Sequence, residues 1–315
     1  MSLVVLKTGL LAQLHDRGRY GYGAHGLTHG GPMDEVAHCW ANWLLDNPLD
    51  SATLEITYGQ LTLECKQRCA IALTGADLGA TLNGRAINPW QQLALNPGDQ
   101  LCFATPVKGL RAYLALTGGI QCKKRFGSAS TVKREKVGGI QGDGSAIKVG
   151  DLIAPDQPEH LHPHPHPHPH PHTRSMPAWA IPTYSNTIEL GLIPGYQFSA
   201  IPAVQRAIFF SSQYLVTDKI DRMGYRLKGA AIETGINGIV SEGIALGAVQ
   251  VPSDGQPIVL MRDRQTIGGY PKIGTVFSLD LALLGQAKPG DLVNFRSIDI
   301  ADAENRRVLF ERNFT

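Results

Sequence analysis

The chain has 315 residues, of which 43% are hydrophobic and 18% charged, and a formal net charge of +2. That length can bury a sizeable core in one or two domains, and so small a charge excludes the field expected of a nucleic-acid or anionic-membrane binder. Thirty-five glycines and 20 prolines favour strands and turns; no apolar run reaches the roughly 18 residues of a membrane span; and five cysteines, with no C-x-x-C pair and no signal-peptide pattern, suit a reducing, cytoplasmic setting.

Asp16-Arg17-Gly18-Arg19-Tyr20-Gly21-Tyr22 is a polar turn punctuated by glycine. His25 and His29 come next, in a Gly-rich loop. Their i, i+4 spacing precedes any helix, so zinc-type ligation is not implied; either can act as general acid or base, or rest in a structural hydrogen bond. Gly30 and Gly31 can turn backbone N–H groups toward an anion at the start of a helix, or form a tight turn capped by Asp34. The helix beginning near Asp34 carries Val36, Trp40, Trp43 and Leu44 at helical spacing and stops before Asn47-Pro48.

Strands dominate the stretch beyond this helix. Leu61, Leu63 and Cys65 alternate with Thr62 and Glu64, which predicts a half-buried strand. Cys69–Asp77 and Arg111–Leu116, apolar after its arginine, read as buried ones. Gly127-Ser128-Ala129-Ser130-Thr131 offers hydroxyls suited to an anion. From His162 onward His and Pro alternate, a pattern that forbids helix and cannot join a central strand. The histidines of an extended, three-per-turn chain point in different directions, so a linker over 159–175 is expected and a preformed metal site is not.

In the second half, Asp221-Arg222-Met223-Gly224-Tyr225-Arg226-Leu227 sets two arginines close enough to grip one carboxylate or phosphate, or to form solvated pairs. Further on, Ile258-Val259-Leu260-Met261 succeeds a turn at Ser253-Asp254-Gly255-Gln256-Pro257. It delivers Asp263, Arg264, Gln265 and Thr266 into Gly268-Gly269-Tyr270-Pro271. A carboxylate can accept a proton or hold a cation, a guanidinium can clamp an anion with two prongs, and a carboxamide can donate and accept. A structural Asp–Arg pair beside a tight turn fits the same residues. A short helix is expected at Leu279–Leu284. No Gly-x-Ser-x-Gly elbow, Walker loop or Rossmann glycine pattern is present.

The two halves repeat an order. Leu95–Phe103 matches Ala287–Phe295 around Pro-Gly-Asp, and each match comes after an apolar strand ending in an acidic turn. Two β-units are therefore expected, 1–158 and 176–315, sharing a cleft lined by the Asp221 and Asp263 segments and the Asp34 loop.

The polar segments above, with Leu73–Asp77 and Gly109–Ala115, resemble the allophanate hydrolase subunit 2, or biotin-dependent carboxyltransferase-like, family over about Asp16 to Phe295. Bacterial members include the C subunit of 5-oxoprolinase. The resemblance implies a mainly β fold of tandem cyclophilin-like β-barrels with few short helices. The implied activity is ATP- and Mg2+-dependent opening of 5-oxoproline to glutamate, together with partner subunits A and B. A lactam is a poor electrophile, and phosphorylating its oxygen makes that oxygen a leaving group, which calls for cationic clamps and a carboxylate. Asp221, Asp263, Arg264 and His29 are the expected catalytic residues. Arg222, Tyr225, Arg226, Gln256, Gln265, Thr266, Gly268, Gly269, Tyr270, Asp34, Gly30 and Gly31 are expected to contact the small-molecule substrate. Two other readings stand beside this one. The chain could be a carboxyltransferase subunit acting on a urea-like amide, with biotin brought by another protein, or a non-catalytic module regulating a kinase-inhibitor pathway. Departures from the family pattern include Tyr196, where proline is usual between Gly195 and Gln197, and Ile220 before the Asp-Arg-Met-Gly run.

Overall fold

The structure is a computed structural model that describes residues 2–156, 174–236 and 238–314. The alternating His–Pro segment, and with it all of the expected linker except Arg174 and Ser175, lies outside the described residues. The described chain is mainly β and divides into two compact units. One comprises Met1–Tyr20 and Gly30–Tyr184; the other comprises Gly21–His29 and Ser185–Thr315.

In the first unit two sheets enclose one core. The first sheet runs Leu152–Ile153, Leu3–Lys7, Thr62–Cys65, Gln100–Cys102, Thr81–Leu82, Arg85–Ala86. The second runs Leu11–His15, Thr53–Thr57, Lys108–Leu116, Cys69–Asp77, Gln91–Leu95. Leu3, Val5, Leu63 and Leu101 from one sheet meet Leu14, Leu54, Leu73 and Leu114 from the other. The expected alternation holds on Thr62–Cys65, where Leu63 and Cys65 are buried and Thr62 and Glu64 are not. Lys108–Leu116 is buried on both faces after its first residue, Arg111 being the one charged side chain in that buried stretch. Helix α1, Glu35–Trp43, starts at Asp34, whose side chain accepts the Ala37 N–H at 2.9 Å.

Residues 174–184 stay with this unit for a visible reason. The Arg174 guanidinium donates to Asp46 at 2.7 Å, the Met176 N–H bonds the Trp90 carbonyl, and the Tyr184 hydroxyl donates to Asp34 at 2.8 Å.

The second unit is a closed seven-stranded barrel. Its order is Thr187–Pro194, Lys272–Val276, Ala248–Gln250, Ile258–Leu260, Gly224–Lys228, Gln213–Ile220, Leu292–Ser297, and the last strand pairs in parallel with the first. A two-stranded ribbon, Glu242–Gly243 with Ile267–Gly268, stands outside the barrel. Helix α2, Ala203–Ser211, seats Phe209 against Phe295 with ring centroids 4.6 Å apart. Helices α3, Asp280–Leu284, and α4, Ile300–Glu311, also belong to this unit. Only α1 and α3 were expected from the sequence. None of the described helices is long and apolar enough to cross a membrane.

The Pro-Gly-Asp repeat has a structural cause. At Asn96–Asp99 and Lys288–Asp291 the aspartate Oδ2 accepts the N–H three residues back, and the glycine holds a positive φ of 91° and 97° respectively. Lys148-Val149-Gly150-Asp151, in the first unit, builds the same turn. The motif therefore marks a recurring strand-leading turn and does not by itself mark a repeated half.

Candidate functional site

In the first unit the segments expected to bind anions are filled from within. Asp16, which is buried, accepts the Ser128 hydroxyl at 2.6 Å, the Ala129 N–H at 2.7 Å and the Ser130 hydroxyl at 2.8 Å. The Ser130 oxygen in turn accepts the Gly31 N–H at 3.0 Å, and Arg19 donates to the Ser130 carbonyl at 2.6 Å. The Gly31 amide and the hydroxyls of Gly127–Thr131 therefore serve a buried lock and do not form an open cradle.

Asp34 is equally enclosed. Its N–H donates to the Tyr113 hydroxyl at 2.7 Å, and that hydroxyl donates to Glu55 Oε2 at 2.7 Å. The Met33 N–H bonds the same Glu55 oxygen, and Arg111 lies 3.7 Å from the other. Burial, then the charges of Glu55 and Asp34, hold the Tyr113 hydroxyl well above the usual tyrosine range. This is the chemistry of an interior polar network. Gly30, Gly31 and Asp34 are all buried.

The remaining expected residues belong to the second unit. The Asp221 carboxylate accepts the Met223 and Gly224 N–H groups at 2.7 and 3.1 Å, which makes a tight turn. Arg222 and Arg226 do not converge on one anion. Arg222 grips Asp263, whereas Arg226 reaches Asp254 at 3.1 Å on the surface, because 222 sits in the turn and 226 on the strand beyond it. The Arg264 side chain donates to the carbonyls of Ile244, at 3.1 Å, and Met261, at 3.4 Å. The Arg264 carbonyl accepts the Thr28 hydroxyl at 3.3 Å, which ties the Gly21–His29 segment, including half-buried His29, to this unit. Tyr225 is fully buried in the barrel. Gln256 pairs with the Gly229 backbone through both ends of its carboxamide. Thr266 offers its carbonyl to the Ile244 N–H, and the Gln265 side chain is exposed. Gly269 and Tyr270, with Glu233, Thr234, Ser253 and Asp254, line a cavity of about 630 Å³.

Beside Gly268 lies a charged cluster that was not expected from the sequence. Lys272, with 12% of its side chain exposed, bonds Glu242. The Tyr196 hydroxyl donates to the two Glu242 oxygens at 2.6 and 2.5 Å and accepts the Gln197 amide at 2.8 Å. The Lys272 hydrogen bond first, then the Tyr196 hydroxyl, holds the Glu242 carboxyl below its ordinary value, and the same carboxylate pushes the Tyr196 hydroxyl up. Lys272 lies one residue past the Gly268–Pro271 run. Tyr196 stood out only as a departure from a family pattern, and Glu242 carried no local signal.

The two expected catalytic carboxylates have partners within this chain. Asp221 Oδ1 accepts two backbone N–H groups, and Asp263 is held by Arg222.

Fold and site together define a mainly β protein whose barrel unit carries polar and charged groups around a glycine-rich edge. The chain belongs to the family described as carboxyltransferase domain, subdomain A and B, whose pattern matches residues 25–297. It is 32% identical over 313 residues to the C subunit of 5-oxoprolinase from Escherichia coli strain K12, spanning 99% of this chain and 96% of that protein. It is 30% identical to a putative urea carboxylase of Emericella nidulans, over 91% of this chain and only 23% of that protein. Its structure is similar to the urea amidolyase of K. lactis, with a TM-score of 0.91 and 27% identity, covering all of this chain and 20% of that one.

Proposed function

We propose that this chain is the C subunit of an ATP-dependent 5-oxoprolinase and works with partner subunits A and B in the cytoplasm. One observation carries the reading: the match to the E. coli relative spans 99% of this chain and 96% of that protein. The urea-carboxylase relatives contain this region only as a fraction of a much longer protein.

In this reading the chain binds and orients the lactam. The barrel edge around Gly268 supplies carboxamides from Gln265 and its neighbours and a lysine held against Glu242. A positioned cation near an amide oxygen favours the state in which that oxygen carries negative charge. The ATP-handling groups are assigned to the partner subunits, and Asp263, held by Arg222, serves here as a brace.

The structural likeness to urea amidolyase supports a second reading, a carboxyltransferase subunit that receives biotin from another protein and acts on urea. Co-expression with the A and B subunits, then an assay of glutamate formed from 5-oxoproline and ATP, separates the two. The proposal expects glutamate from the three-subunit mixture and none from this chain alone. Consumption of urea with a biotinylated carrier, and no glutamate, would select the second reading.

A further inference from the structure

Gln250 ends the strand Ala248–Gln250, all three residues of which are buried. Its side chain is 2% exposed, and its Nε2 has no hydrogen-bond partner among the described residues. A buried amide donor left unpaired is destabilising, and an apolar residue of similar size would fill the same strand position without that cost.

The surroundings of the amide indicate its use. Gln250 lies opposite Lys272 in the barrel, and the neighbouring ribbon sets Gly268 opposite Glu242. A Cβ placed on Gly268 would stand 2.5 Å from Ile244 Cδ1, 3.0 Å from Gln250 Nε2 and 3.2 Å from Gln265 Nε2. Two carboxamide nitrogens thus approach one point, and only glycine leaves room there.

We propose that Gln250 reads the amide edge of the substrate: its Nε2–H donates to the ligand carbonyl and its Oε1 accepts the ligand N–H. In a five-membered lactam the N–H and C=O are held cis, side by side on one edge. Urea presents the same edge, so a single carboxamide closes a two-hydrogen-bond ring with either. The ribbon carrying Gly268 roofs Nε2, and the ligand reaches it when that ribbon lifts. Once the ribbon closes over the ligand, exclusion of water strengthens both bonds. The inference rests on the reading that this chain binds a small amide, and it adds the residue that recognises it.

The test uses the full chain co-purified with its partner subunits, as wild type, Gln250→Met and Gln250→Glu. Methionine keeps the volume and removes both polar groups. The expected result is a KM for 5-oxoproline raised roughly tenfold to a hundredfold in both variants, with a much smaller change in kcat. Gln250→Met is also expected to melt no lower than wild type, since it removes an unpaired buried donor. Binding of 2-pyrrolidinone is then compared with that of γ-butyrolactone, which keeps the carbonyl and lacks the N–H. The wild type should prefer the lactam and Gln250→Met should not. Unchanged KM and unchanged lactam preference in Gln250→Met would overturn the proposal. If the complex does not turn over 5-oxoproline, the functional reading fails and binding decides Gln250 separately. Loss of 2-pyrrolidinone or urea binding in Gln250→Met supports the proposal, and absent or equal binding in both proteins overturns it.

Discussion

Arg222 holds Asp263 in a two-pronged grip, Nε to Oδ2 and Nη2 to Oδ1, each at 3.0 Å. The Asp263 N–H returns a bond to the Arg222 carbonyl at 2.7 Å, so the two turns are joined through backbone and side chain together. With side chains only 7% and 13% exposed, this pair is a brace under the glycine-rich edge.

Replacing Arg222 by alanine strands a mostly buried carboxylate and is expected to destabilise the chain by about 3 kcal/mol. Arg222→Lys loses the planar fork and should recover only part of that. Chemical denaturation of the full chain measures both. A double variant, Arg222→Ala with Asp263→Ala, should be less damaging than the sum of its single changes.

Tyr113→Phe removes a hydroxyl that accepts the Asp34 N–H and donates to Glu55. It leaves that N–H without its acceptor at the start of α1, so a loss of roughly 1–3 kcal/mol is expected. A melting point equal to wild type would show that the network reorganises without cost.

Asp16→Ala withdraws the acceptor of the Ser128 and Ser130 hydroxyls and the Ala129 N–H. Protease cleavage within 127–131, slow in wild type, should become fast at unchanged temperature. Equal cleavage rates in both proteins would show that the lock does not hold this loop.

His38 is fully buried between the Thr53 hydroxyl and the Leu49 carbonyl, and burial lowers its pKa from 6.5 to about 4. As pH falls the unfolded chain takes the proton first, so stability contributed by the neutral ring is complete above pH 6.5 and declines between 6.5 and about 4. The decline should amount to roughly 3 kcal/mol across that window. His38→Gln should flatten it. Melting curves from pH 7 to pH 4 test the sign.

The legible part of the sequence was local. Asp34 as a cap, α1 and the buried strand at Arg111–Leu116 emerge from spacing and composition a few residues long. Helix α4 did not, because Ala303 is the only buried residue in Ile300–Glu311 and a helix lying on the surface leaves no apolar stripe to read. The candidate site was legible as a set of polar residues and illegible as a geometry. Asp16 and Ser128 are 112 positions apart, and Arg222 and Asp263 are 41, so nothing within either segment names its partner. Gln250 looks like any other residue of the Ala248–Val251 run until the fold shows its Nε2 buried with no hydrogen-bond partner among the described residues.

Hydrogen–deuterium exchange of the full chain with its partner subunits, with and without 5-oxoproline, tests most directly whether an amide docks at the Gly268 edge. The account predicts slowed exchange over 242–250 and 262–272 on adding the lactam, and no such protection in Gln250→Met. Unchanged exchange in both segments, or protection confined to the first unit, would contradict it.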